Sequence, residues 1–577
     1  MVNDRLARLE SALDDLRSSV RQLEARLAHL EGRAALVEQT AADAGIAAPE
    51  SVAAAAAPAA RGWRDPIAVL SLIGRLFIVL GGAYLLRAMT DAGAIAPAAG
   101  VALGLAYGLV WLALADRAGG RGQRPSAVFH GLGAAMVAFP VVLEATTRFK
   151  VFPGAASAAA LAALTAGILA VAWRRRLQPL AWIAVAVAMP ASVVILAKTG
   201  VVVPHAFFLI LFGVAALWMG YSLDWLLVRW PVAAVANIVV VGVTLRALAA
   251  EPQDTPGAAL AVQVTLLAAY LASIAIRTLV RGRNVIPFEV VQTAAALVVG
   301  LGGALSVSRA TGSGAAALGV ASVVIGVACY GVAFAFIERQ QNRGRNVYFY
   351  TSLAVVLVLV GVTALLPGPA VTGVLAALAV VCSAAWSRIG RLFLLIHAAV
   401  YLVAAAIVSG AVGYDIREVV AGAGPPFPLP SPAMLVVLAA SALSAWLAAR
   451  EPASDGSTWA RVPRFAIVLV LVLSAGGTLV GFLAPALGRQ PDGSIDPGML
   501  ATIRTGVLAI AALVVAWIGR HARFREWDWL VYPLLVGIGL KMAAQDFMNS
   551  RPATLFVALA LYGAALIAAP RMRRRQA

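Results

Sequence analysis

Runs of roughly 20 apolar residues, long enough to cross a hydrocarbon core as helix at 1.5 Å per residue, recur about eighteen times in this chain. The first is Ile67–Leu86 and the last Ala553–Ala569, with short gaps between. No soluble architecture accommodates such a pattern. Charged residues make up 12% of the chain and apolar residues 62%, with a mean hydropathy of +0.89, whereas a soluble domain carries roughly 25% charge. The fold class expected is all-α, a polytopic bundle of about eighteen transmembrane helices across residues 66–570.

The basic residues test that count. Loops on the cytoplasmic side of a membrane hold the excess of Lys and Arg, and here nearly every second gap is basic. Arg117, Arg121 and Arg124 follow the second run, Arg174 to Arg176 the fourth, Arg277, Arg281 and Arg283 the eighth, and Arg339, Arg343 and Arg345 the tenth. The rhythm continues through Arg388 and Arg391, Arg450 and Arg461, and Arg520, Arg523 and Arg525, to the closing tail of residues 571–577. Odd gaps are poorer, typically with one basic residue, such as Arg309, Arg417 or Arg489, or none. An inserted or missing span would break the alternation midway. An even number of spans with both termini cytoplasmic follows, in an inner (cytoplasmic) membrane of bacterial type. The formal net charge of +18 is thereby explained as orientation in the bilayer, because no single face or tail gathers it for nucleic acid.

Ahead of the first run lies a different pattern. Leu6, Leu9, Leu13, Leu16, Val20, Leu23, Leu27 and Leu30 alternate at steps of three and four, the heptad signature of a coiled coil over residues 1–40. With Leu6 at a, Arg5, Arg26 and Arg33 occupy g positions, and Glu10, Glu31 and Glu38 the e positions they meet in a parallel partner. This predicts a parallel homo-oligomer; the alternative is an amphipathic helix docked on the protein's own cytoplasmic face or on another protein. Residues 41–65, Ala-rich with Pro49 and Pro58, read as a linker to the membrane surface. No cleavable signal peptide is visible.

Candidate chemistry is confined to ionisable residues in the spans, each costing about 2.5–3.5 kcal/mol on insertion scales unless partnered, wet or snorkelling. Glu144, Arg504, Lys541 and Asp546 all fall in the outer half of the membrane on this topology, with Arg87, Asp91, His205 and Arg551 toward the outer surface. They form a candidate polar cluster. Lys541 and Asp546 are five residues apart, about 140° around an α-helix, so the expected partner of Lys541 is on another helix, and Glu144 is the choice. Arg75 stands near mid-membrane or snorkels to the surface, according to where the first span starts. Glu289 and Gln292 line a pore or, more simply, bond between helices, and Gly100, Gly104 and Gly108 suit close helix packing. His130 and His397 lack companions at metal-ligand spacing, and Cys329 and Cys382 lack a second thiol, so no metal, disulfide or cofactor is indicated. Asp492 and Asp496 are half a calcium pattern at most. No phosphate loop, zinc-protease helix or nucleophile elbow is present, which argues against an enzyme.

Several segments resemble a known group. Leu72-Ile73-Gly74-Arg75 followed by Gly81-Gly82, the stretch from Pro179-Leu180-Ala181 to Met189-Pro190, and the closing Gly539-Leu540-Lys541, Asp546 and Arg551 before a last apolar helix resemble the bacterial membrane proteins filed as domain of unknown function 2339. The segment after Arg551 is small and apolar where that family is usually aromatic. The resemblance implies a cell-envelope membrane protein with no assigned activity. From the residues themselves, a transporter or flippase for an envelope component is the first reading. An oligomeric scaffold or assembly factor acting through the coiled coil is the second. A glycosyltransferase using a lipid-linked donor is third, since only Asp91 supplies acid on an early outer loop.

Overall fold

The computed structural model describes residues 66–249, 255–334, 344–413, 429–450, 458–490, 495–520, 526–547 and 552–574. The expected coiled coil and linker of residues 1–65, Asp492, Arg551 and the side chain of Arg75 lie outside the described residues. Every apolar run described is a helix, and no strand occurs among the described residues apart from an isolated bridge between Arg489 and Ile495. Fourteen of these helices are long and apolar enough to cross a membrane. The remaining expected runs are helical too, as α1 (Pro66–Asp91), the shorter α13 (Leu392–Val408) and α14 (Pro432–Ala448), and α17 (Asp528–Lys541), which a π turn extends from Met542 to Asp546.

Helix starts are written into the sequence. Proline, whose missing N–H costs nothing in a first turn, opens α2 (Pro97–Gly120), α8 (Pro256–Val280), α9 (Pro287–Ala310), α14 and α16 (Pro497–Ile518). Thr255, Ser431 and Asp496 cap α8, α14 and α16 by accepting the N–H groups of Ala258, Met434 and Met499. Gly390 closes α12 (Gly368–Ile389) in the left-handed region at φ +70°. Such ends matter because a bilayer leaves no water to satisfy backbone groups.

The chain divides into two units, Met1–Ile195 and Leu196–Ala577. In the first, α2 packs along α3 (Arg124–Thr147) on a glycine face. A Cβ on Gly104 would lie 3.0 Å from Val141 and one on Gly108 2.9 Å from Ala138, while Gly100 faces Thr90. Glycine spacing there serves close approach of backbones, as expected. At one end of this unit Asp116, at the end of α2, accepts bonds from Arg175 (2.7 and 3.0 Å) and Arg174 (3.2 Å) of α4 (Gly154–Arg175). At the other end Arg87 meets Glu144 (3.0 Å) and Arg148 meets Asp91 (3.1 Å). Even gaps are thus joined to even gaps and odd to odd, as antiparallel helices of one bundle require.

The second unit repeats the rule. Asn346, at the start of α11 (Gly344–Leu365), accepts the Val285 N–H (2.9 Å) and donates to the Arg283 carbonyl (3.0 Å), tying the eighth gap to the tenth. Arg464 and Glu526 join the starts of α15 (Thr458–Leu487) and α17 across 3.4 Å. The core between α10 (Ala315–Val332) and α15 is aliphatic, with buried Tyr350, Trp386 and Tyr401. A second core, including Ala512, Leu530 and Ile538, lies among α15 to α18 (Pro552–Arg574).

Candidate functional site

Among the described residues Lys541 is the largest charged side chain completely enclosed by the protein, with 1% of its side chain exposed. It ends α17, and the next five residues wind as a π turn. That turn corrects the expectation drawn from spacing. In an α-helix, residues five apart point away from each other, but π winding bonds residue i to i+5 and stacks such residues on one face. Asp546, fully buried, therefore reaches back to Lys541, with Nζ 2.9 Å from Oδ1 and 2.8 Å from Oδ2. The partner is on the same helix.

Two groups of α16 complete the shell. Lys541 Nζ donates to the Thr505 hydroxyl (2.7 Å) and to the Ala501 carbonyl, and the Thr505 hydroxyl donates onward to Asp546 Oδ2 (3.2 Å). An ammonium has three protons and no lone pair, so carboxylate, hydroxyl and carbonyl saturate it. Thr505 was not among the residues expected here. Its signal was faint, a second polar residue beside Arg504 in an otherwise apolar stretch.

Arg504, 7% exposed, shares a cavity with Lys541. The space is about 90 Å³ and is walled by Val472, Gly476 and Val480 of α15, Val507 of α16 and Leu534 of α17. At about 30 Å³ per water, it has room for a few solvent molecules or one small polar group. Two basic side chains, Lys541 and Arg504, line it together.

The other residues of the expected cluster lie elsewhere. Glu144 pairs with Arg87 in the first unit, where Asp91 lies 3.9 Å from Arg87 on the far side and also takes Arg148. These side chains are a quarter to a half exposed, so this network is a solvent-facing clamp on α1, α3 and the loop after it. Glu144 is not the partner of Lys541. His205 is buried in α6 (Val202–Leu223), with Nδ1 3.0 Å from the Val201 carbonyl. The eight residues singled out beforehand thus fall into two separate networks, His205, and Arg551 outside the described residues.

A further network was legible only in part. Glu289 on α9, wholly buried, accepts from Arg277 (2.9 Å to each oxygen), from the Tyr221 hydroxyl (2.6 Å) and from the Ile286 N–H (2.9 Å). Arg229, on α7 (Arg229–Leu248), stacks on Phe288 at 4.5 Å, and Gln292 bonds Asn237 at 3.1 Å. Glu289 and Gln292 join α9 to α6, α7 and α8, the interhelical bonding anticipated as the simpler reading. His397 likewise meets the Tyr330 hydroxyl at 3.2 Å, which continues to Tyr401.

The chain matches no protein-family model, no curated protein and no solved structure. Of the networks described, the one at Lys541 combines full burial, opposite charges, a π turn and an adjoining cavity. π turns inserted in α-helices frequently mark functional positions.

Proposed function

We propose that this polytopic membrane protein is a transporter or flippase for a cell-envelope component, with Lys541, Asp546, Thr505 and Arg504 as its working element. One observation carries the reading: a completely buried ion pair held by a π turn against a cavity that Lys541 and Arg504 both line. Ionisable groups in membrane helices mark pathways and relays. A pair whose register depends on a local π turn can be opened by converting that turn to α-helix, which swings Asp546 away from Lys541 and exposes both charges to the cavity. A substrate anion would take the place of Asp546 beside Lys541 and Arg504, and its release would restore the pair. We place the chain in the inner membrane of a bacterium with both termini cytoplasmic, on the alternation of its basic loops, and beside the domain of unknown function 2339 proteins on its closing Lys541, Asp546 and Arg551.

The test is complementation of an envelope-stress defect in a deletion strain at matched expression. Lys541→Met and the paired variant Lys541→Met/Asp546→Leu should both abolish rescue, while removal of residues 1–58 should leave it intact. The paired variant keeps the volume and removes both charges, so it separates a working pair from a packing lock. Full rescue by the paired variant would refute the reading. Loss of rescue on removing residues 1–58 alone would transfer the function to the predicted coiled coil and its partners.

A further inference from the structure

A long cleft opens between α9 and α11 in the second unit, with a volume of about 520 Å³. Its walls are Val290 and Leu297 on one side and Phe349 and Val356 on the other, and Arg345 stands at its mouth. From Pro287 to Leu297 is ten residues, about 15 Å of helix axis, half of a hydrocarbon core about 30 Å thick. The cleft is therefore one leaflet deep. Val291 and Val298 on α9 and Tyr348 on α11 are each about half exposed or more, which fits a wall turned to lipid.

The mouth is basic. Arg345 lies in the first turn of α11, where the helix N-terminus adds partial positive charge, and the Asn346 bridge brings the loop bearing Arg281 and Arg283 to the same end. The acidic side chain nearest this end on α9, Glu289, is fully engaged by Arg277, Tyr221 and the Ile286 N–H. About 9 Å below the mouth, at six residues' rise, Thr293 lines the cleft. The residue is buried, 4% exposed, and its hydroxyl has no hydrogen-bond partner among the described residues. An orphan hydroxyl in an apolar cleft costs free energy unless something accepts its proton.

We infer that this cleft is a binding site for an anionic phospholipid, with its phosphate on Arg345, a glycerol ester carbonyl accepting from Thr293, and one acyl chain along Val290, Leu297, Phe349 and Val356. The charge at the mouth selects the headgroup, the hydroxyl selects an ester, and the depth selects a single-leaflet chain. The lipid comes from the leaflet on the side of the basic loops, and would splint α9 to α11. This inference does not depend on the Lys541 site.

Native mass spectrometry of the purified full-length protein in a nonionic detergent tests it, with phosphatidylglycerol or phosphatidylcholine of identical acyl chains added in turn. The expected result is one phosphatidylglycerol retained in preference to phosphatidylcholine. Arg345→Gln should weaken that retention about fivefold, the worth of one basic residue against an anionic lipid headgroup. Val290→Trp, which fills the cleft, should abolish it, and Arg309→Gln, at the other end of α9, should leave it unchanged. Equal retention of the two lipids, or phosphatidylglycerol retention untouched by both Arg345→Gln and Val290→Trp, would overturn the inference. So would a lipid-free dimer that Val290→Trp dissociates, since a second copy of the chain would then be the occupant. Inorganic phosphate competing as well as the lipid would also overturn it, because the acyl chain would then contribute nothing.

Discussion

Removing one member of the Lys541–Asp546 pair and removing both should have very different consequences. Lys541→Met leaves Asp546 with no exposed surface and, among the described residues, the Thr505 hydroxyl as its one side-chain donor. Asp546→Leu leaves an ammonium that keeps the Thr505 hydroxyl and the Ala501 carbonyl but loses its counter-charge, with Arg504 nearby. Breaking a buried pair in this way costs about 3–5 kcal/mol, whereas replacing both partners by apolar groups of similar volume is often neutral or better. The two single changes should therefore each lower stability by about 3–5 kcal/mol, and the double variant by less than either. Coupling between the sites should exceed about 2 kcal/mol, even allowing for the modest values of about 0.6–1.7 kcal/mol found for ordinary polar contacts between membrane helices. The measurement is a double-mutant cycle from SDS denaturation of the purified protein in mixed micelles, followed by far-ultraviolet circular dichroism. Independent sites add within about 0.5 kcal/mol. A double variant whose loss equals the sum of the single losses to that margin would refute the pairing and, with it, the role assigned to the π turn.

Three further outcomes follow from other parts of the fold. Gly108→Leu should cost about 1–3 kcal/mol by forcing α2 off Ala138, against a change within about 0.5 kcal/mol for Gly331→Ala, whose added Cβ meets nothing within 4 Å; equal effects in the same titration would disprove the close α2–α3 contact. Glu289→Ala strands Arg277 and Tyr221 and should lower stability by about 3–5 kcal/mol, with Glu289→Gln recovering part of the loss because an amide oxygen can still accept; no difference between the two would mean the carboxylate is not the hub. In a background where Cys329 and Cys382 are replaced by Ala, Arg283→Cys and Arg345→Cys should react with an impermeant maleimide from the same side of sealed vesicles and Arg309→Cys from the opposite side. Labelling of all three from one side would contradict the alternation.

What could be read from the chain alone is what hydropathy and charge determine locally. A run of about 20 apolar residues can satisfy its backbone in a bilayer only as a helix, so the helices and the alternation of basic gaps were legible. The glycines of α2 were legible for the same reason, since a face without side chains admits a neighbour whatever its identity. Partner identity was not legible. Glu144 meets Arg87, and Glu289 gathers Arg277 and Tyr221, because helices distant in sequence are rotated to bring those faces together, and rotation follows from packing along their whole length. The Lys541–Asp546 pair was hidden by a subtler cause. Spacing was interpreted with an α-helical period, but a single π turn changes that period, and nothing in the apolar pattern of Met542 to Asp546 announces it. Tertiary packing decided it, by offering Thr505 and the Ala501 carbonyl of α16 to an ammonium that, buried this deeply, also required its own helix's carboxylate.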